Sequence, residues 1–250
     1  MKNEEFKDLY MDLLNMKYKG KSVWEYFNNN SSNLVLTSAP HFIGELYGEN
    51  KDFKLMVVGR AVNGWEYNFE DCVNSEDILY KILNQDFTFK DIEDNEVKGN
   101  NGTYFYSRSH FWRLIRKMLE SYGEGENFNK KIIWSNLYKI APRYSGNPGW
   151  LLIRQKLQTY IEIIKKEIEI NKPTHALFVT DIDYFNHYEK GSQYPRFGEQ
   201  LEVNEIDGFN YVVAKGKYKE TKIIVCKRPE FRNTDEMVKE IKKVFEEEIK

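Results

Sequence analysis

The sequence predicts one α/β domain, a three-layer α/β/α sandwich with a mostly parallel central sheet. Three observations lead there. Four continuous apolar runs, Leu55–Val58, Ile132–Trp134, Ala176–Val179 and Ile223–Val225, lack the in-out alternation of a half-wet strand and suit strands buried on both faces. Long amphipathic segments lie between them. No internal repeat and no Pro- or Ser-rich linker divides the 250 residues.

The elements follow in order. "FKDLYMDLLNMKYKG" carries Phe6, Leu9, Tyr10, Leu13, Leu14 and Met16 at helical spacing and ends at Gly20. "SVWEYFNNNSS" reads as a short helix running into an Asn/Ser turn. "FKLMVVG" reads as a buried strand stopped by Gly59. Residues 66–98 hold ten acids against three lysines, the core of an acidic insertion at about 66–105. "DILYKILNQDF" suggests one helix there, and the rest reads as a solvated excursion or a lid.

"SRSHFWRLIRKMLESYG" is a helix that Ser109 can cap, with Phe111, Trp112, Ile115, Met118, Leu119 and Tyr122 on one broad face. "KIIWSNLYKIAP" is a buried strand entering a proline loop. "WLLIRQKLQTYIEIIKKEIEINKP" reads as the longest helix, closed by Pro173. "HALFVTDID" is a third buried strand. "QLEVNEI", "FNYVVAKG" and "TKIIVCKRP" are three more, the first two joined by a turn at Asp207 and Gly208. Met237, Ile241, Val244, Phe245 and Ile249 mark a terminal amphipathic helix.

Composition narrows the function. Lys and Arg total 37, Asp and Glu 39, so the net charge is −2. That is not the basic footprint of a protein that coats nucleic acid, and phosphate binding must come from a local patch. Aromatics reach 15%, fitting a ring-rich core and leaving room for a stacking surface. The two cysteines, Cys72 and Cys226, form neither a disulfide framework nor a metal cluster. The N-terminus lacks the apolar core of a signal peptide, and no apolar run approaches a membrane span. The expectation is a soluble, cytoplasmic protein that needs no metal or cofactor and contacts no membrane.

In parallel sheets ligands sit beyond the carboxyl ends of the strands. Those ends are residues 60–65, 136–144, 180–184 and 227–232. The first, "GRAVNG", is neither a dinucleotide fingerprint nor a P-loop. Gly59 and Gly64 let the backbone approach a ligand, Arg60 brings a planar permanent charge, and Asn63 brings donors and an acceptor. In the second loop, Asn136 falls where the strand leaves the sheet. Its amide can pair with a base edge, or can serve a turn by binding its own backbone. The last loop, "CKRPEFR", is the most basic of the four and reads as a surface turn or as an anion site.

Together, "LMVVGRAVNGW", "IIWSNLYKIAP" and "KIIVCKRPEFR" resemble the uracil-DNA glycosylase superfamily over about residues 54–231. In that family a glycine-led loop carries the residue that activates water, a later strand ends in an asparagine that reads the pyrimidine edge, and a last strand ends in a His-Pro-Ser loop that supports the leaving base. "SHFWRLI" is similar to a helix start in the mismatch-specific branch, and "INKPTHALFVTD" to the family's helix-proline-strand unit. The departures are specific. Ala61 stands where the family has its catalytic Asp or Asn. Arg60 stands where some branches have an acid, and Arg228 stands where His is usual. Two cysteines exclude the four-cysteine iron–sulfur branch.

The resemblance implies a nucleobase or damaged DNA as ligand, with hydrolysis of an N-glycosidic bond as the associated reaction. Asn63 and Arg228 become the catalytic candidates, one to orient water and one to stabilise the leaving base. Asp181 and Asp183 are further candidates for the water. Gly59, Arg60, Trp65, Asn136, Arg143, Phe231 and Arg232 become substrate-binding candidates, Phe231 or Tyr144 as a stacking or wedging ring. Two alternatives stay open: a catalytically inactive nucleic-acid or protein interaction module on the same fold, and an α/β enzyme that grips a phosphorylated small molecule through Arg60, Arg143 and Arg228.

Overall fold

The computed structural model describes residues 3–18, 20–27, 34–37, 40–61, 72–84, 97–99, 102–104, 108–142, 148–186 and 194–247. Seven strands form the main sheet: β1 (His41–Ile43), β2 (Leu55–Ala61), β3 (Ile132–Tyr138), β4 (His175–Val179), β5 (Val203–Glu205), β6 (Val212–Tyr218) and β7 (Thr221–Cys226). Their spatial order is β5-β6-β7-β4-β2-β3-β1. The pairs β2–β3, β2–β4 and β4–β7 are parallel, whereas β1, β5 and β6 join antiparallel at the flanks. The sheet is therefore mixed, with the four apolar runs as its parallel centre. Leu55, Val57, Ile132, Leu177 and Ile224 are all fully buried, as continuous hydrophobicity requires of strands covered on both sides.

Helices cover both faces. On the first face α1 (Lys7–Leu14), α2 (Ser75–Leu83) and α4 (Leu157–Asn171) pack against Met56, Val58, Ile133, Ala176, Phe178 and Val225. On the second, α3 (His110–Glu120) and α6 (Thr234–Glu246) pack against Leu55, Val57, Ile132, Trp134, Leu177 and Ile224. The hydroxyl of Ser109 accepts the Trp112 N–H at 3.4 Å and caps α3, as the sequence predicts. Trp112 then meets Trp134 edge-to-face, with centroids 5.1 Å apart. Asn233 caps α6 by accepting from Asp235 and Glu236 N–H. The acidic stretch contributes α2, capped by Asn74, and residues 85–96 lie outside the described set.

Four sequence expectations need correction. Residues 150–171 are two helices, Trp150–Gln155 and α4, because Lys156 leaves the helical region at φ −132°. Its ammonium bonds Asp12 on α1, an anchor that a helical wheel does not show. Strand β2 does not stop at Gly59 but runs on to Ala61, and Asn136 lies inside β3, paired with Gly59, rather than at its end. Strand β1 escaped notice because its three residues are too few to show a period. The antiparallel pairs lie at the flanks, where β5, β6 and β7 follow one another and β1 lies along β3.

A polar network crosses the first-face core. Lys139 and Glu167 are fully buried, and Ser135 nearly so. The Lys139 ammonium donates to Pro40 O, Ser135 Oγ and Glu167 Oε1, each at 2.6 Å. The Ser135 hydroxyl lies 2.7 Å from Glu167 Oε2 and 3.1 Å from Pro40 O. Burial pushes the Glu167 carboxyl up and the Lys139 ammonium down, and their mutual attraction opposes both. An ammonium has three protons, and here three acceptors meet it, so the geometry favours the charged pair.

Candidate functional site

The four parallel strands, taken in chain order β2, β3, β4, β7, lie as 2-1-3-4. The connection from β2 leads to one side and that from β3 crosses back to the other. Between the carboxyl ends of β2 and β4 the chain therefore diverges, and a crevice opens at such a switch point. Gly59 and Arg60 stand at this edge. Strand alternation continues the pattern of Val57 and Val58, so Arg60 belongs to the first face and Gly59 to the second.

On the first face Arg60 is held on three sides. Its Nε donates to Thr180 O at 2.7 Å, its Nη2 pairs with Asp181 Oδ2, and its guanidinium lies 3.8 Å from the centre of the Tyr184 ring. Burial lowers the Arg60 pKa and Asp181 raises it again, while the nearby charge of Arg228 works against it. Arginine keeps its proton through such shifts. Asp181 is the hub. Its Oδ1 accepts the Arg228 N–H at 3.1 Å, and its own N–H donates to Cys226 O at 3.1 Å. Asp181 sits at φ +59°, a left-handed conformation that Asp tolerates better than most residues. Tyr184 follows on the short helix α5 (Ile182–Asn186), and its carbonyl accepts the Tyr138 hydroxyl at 2.5 Å. The ends of all four parallel strands are thereby tied together.

On the second face Asn136 is 3% exposed, and its Nδ2 has no hydrogen-bond partner among the described residues. A Cβ added to Gly59 would lie 3.0 Å from Asn136 Oδ1 and 3.8 Å from the Phe111 ring. Glycine is thus what lets the asparagine side chain cross the neighbouring strand. A buried donor left unpaired costs about 1–3 kcal/mol. Such a group calls for an acceptor, and the carboxyl edge is where a ligand could supply it.

The last loop follows β7 at the same edge of the sheet. The Arg228 guanidinium pairs with Glu230 Oε1, and the Arg228 carbonyl accepts from Arg232 Nε at 2.8 Å. Glu230 Oε2 is shielded from solvent and has no donor among the described residues. Phe231 is fully exposed at φ +60°, with its ring centroid 6.4 Å from that of His110 at the start of α3. Burial pushes the Cys226 thiol far up, so it is no nucleophile. Among the described residues no group of three or more His, Cys, Asp or Glu could hold a metal.

The structure thus joins Arg60 to the Arg228 backbone through Asp181, and it joins Gly59 to Asn136 one residue away. Phe231 and Arg232 sit on the loop that Arg228 begins. Asn63, Trp65 and Arg143 lie outside the described residues. Sequence reasoning passed over Tyr184, Phe111 and Glu230. The first two give no polar signal, and Glu230 hides between two arginines in a loop that reads as basic. No protein-family model matches the chain, and no curated protein matches it in sequence. No helix among the described residues is long and apolar enough to cross a membrane.

Proposed function

We propose that the chain is a divergent uracil-DNA-glycosylase-like protein whose carboxyl-edge crevice binds a nucleobase, free or within DNA. The observation that carries this reading is the buried, unpartnered amide nitrogen of Asn136. It offers a donor to a base carbonyl, beside a glycine whose missing Cβ leaves room for the asparagine side chain. The motif resemblance and the four strand ends gathered around the crevice support the same reading. In its hydrolytic form, water adds its oxygen to the sugar carbon as the carbon–nitrogen bond breaks. The bonding pair leaves with the base, which then takes up a proton. Asn63 is the residue that orients the water, and Arg228 the cation that faces the leaving base.

A second reading, binding without hydrolysis on the same fold, is favoured by two particular observations. Ala61 occupies the position of the family's catalytic residue. The Arg228 charge is already spent on Glu230. One experiment separates the two. Oligonucleotides carrying uracil, a mismatched thymine or hypoxanthine are incubated with the protein and with Asn136→Ala, and both retention and base release are measured. Binding that falls at least tenfold with Asn136→Ala supports the nucleobase site, and Asn136-dependent base release adds the hydrolytic form. Binding indifferent to Asn136, or no binding of oligonucleotide or free base, overturns the proposal.

A further inference from the structure

Two ion pairs stand at the carboxyl edge of the sheet: Arg60 of β2 on Asp181 after β4, and Arg228 on Glu230 in the loop after β7. The two pairs are built differently. Arg60 is largely buried, spends Nε on a carbonyl and stacks on Tyr184, while Asp181 also holds the Arg228 backbone. That pair is a fixture of the fold. Arg228 and Glu230 are two residues apart on one loop, and their side chains are 43% and 33% exposed. Exposed local pairs of this kind are weak and readily exchanged. Glu230 is also a poor partner, because only Oε1 receives a donor while Oε2 is shielded with none among the described residues.

We infer that Glu230 is an intrachain anion that occupies Arg228 in the empty crevice and gives way to a phosphate of the ligand. This rests on the nucleobase reading of the same site and adds the phosphodiester as the group that the site must also engage. A phosphate presents two or more acceptor oxygens to the planar guanidinium fork, where Glu230 presents one. The exchange makes the crevice self-neutralised until a polyanion arrives, consistent with a slightly acidic chain that carries few basic residues near the site. It also sets a threshold, since an isolated base brings no anion to displace Glu230. Arg232, whose Nε holds the Arg228 carbonyl, keeps the loop in place during the exchange.

The test compares the unmodified protein with Glu230→Gln, Arg228→Gln and the double variant, titrated with a fluorescent single-stranded oligothymidine at several salt concentrations and, separately, with inorganic pyrophosphate. Thermal melts verify that each variant folds. Expected are about tenfold tighter oligonucleotide binding by Glu230→Gln, an unchanged salt slope because Arg228 reaches the same phosphate in both proteins, and loss of the whole gain in the double variant. Pyrophosphate should follow the same order. If the unmodified protein binds the oligonucleotide through Asn136 but Glu230→Gln binds no tighter, this inference falls and the nucleobase reading stands. If none of the proteins binds the oligonucleotide, DNA falls as the ligand and the nucleobase reading is confined to a free base. A gain for pyrophosphate that needs Arg228 then keeps the anion exchange, and its absence overturns that too.

Discussion

Replacing Lys139 by Met should be among the costliest single changes in this protein. The substitution keeps the side chain's length but removes the ammonium from a site with no solvent access. Glu167 then keeps only Ser135 as a donor for its two oxygens, and Ser135 cannot serve both Glu167 Oε2 and Pro40 O with its one proton. Breaking one partner of a buried pair costs about 3–5 kcal/mol. For a chain of this size that corresponds to a fall in Tm of roughly 6–20 °C. Glu167→Leu alone should cost a similar amount, since it strands the ammonium. The double variant Lys139→Met/Glu167→Leu removes both charges and leaves the Ser135 hydroxyl free to donate to Pro40 O. It should therefore be more stable than either single variant. Urea unfolding followed by circular dichroism gives the three differences and hence the coupling. If the two single losses add up in the double variant, or if Lys139→Met costs under about 1 kcal/mol, Lys139 and Glu167 do not act as a coupled charged pair.

Three other outcomes are expected. Gly59→Ala should leave the fold intact but push the Asn136 side chain aside, weakening nucleobase binding at least tenfold by titration calorimetry while moving the urea midpoint little. His175, 2.8 Å from Thr174 Oγ1 and packed between Phe53 and Phe245, has its pKa pushed down to about 4, first by burial and then by the Lys222 charge. Its folded value lies below the unfolded one, so its contribution is complete above about pH 6.5 and is lost as pH falls through 4. Allowing for partial exposure the loss is about 1–2 kcal/mol, and His175→Gln should flatten the unfolding free energy across that window. Binding of single-stranded DNA by the unmodified protein should show a salt slope of roughly −1.5 to −3.5, matching on the order of two to four phosphate contacts. A slope near zero in anisotropy titrations would remove DNA as the ligand.

Much of the fold was written in the chain because strands covered on both faces tolerate no polar residue. Leu55–Val58 and Ile223–Val225 could not be anything wetter. The residues at the carboxyl edge were legible for the same reason: Arg60 and Asn136 are polar intrusions at the ends of apolar runs. What stayed hidden depends on partners distant in sequence. The helix break at Lys156 coincides with its bond to Asp12, far back on α1. Lys139 and Glu167 look like ordinary surface charges until the fold brings β3 against α4. Glu230 reads as one acid in a basic loop, and only its pairing with Arg228 shows that it subtracts from the charge expected of the cleft.

The order of Gly59 and Arg60 restricts how this chain can change over time. They are consecutive residues on a strand whose side chains point alternately up and down. One must leave a gap for an amide above the sheet, and the other must reach Asp181 below it. Substitutions elsewhere along β2 leave that arrangement intact. Gaining or losing one residue anywhere between Leu55 and Gly59 exchanges the two roles at once, placing a guanidinium where Asn136 crosses and a bare backbone opposite Asp181. Insertions and deletions should therefore be absent from this strand in any descendant that keeps the site, while the loops on either side remain free to vary in length.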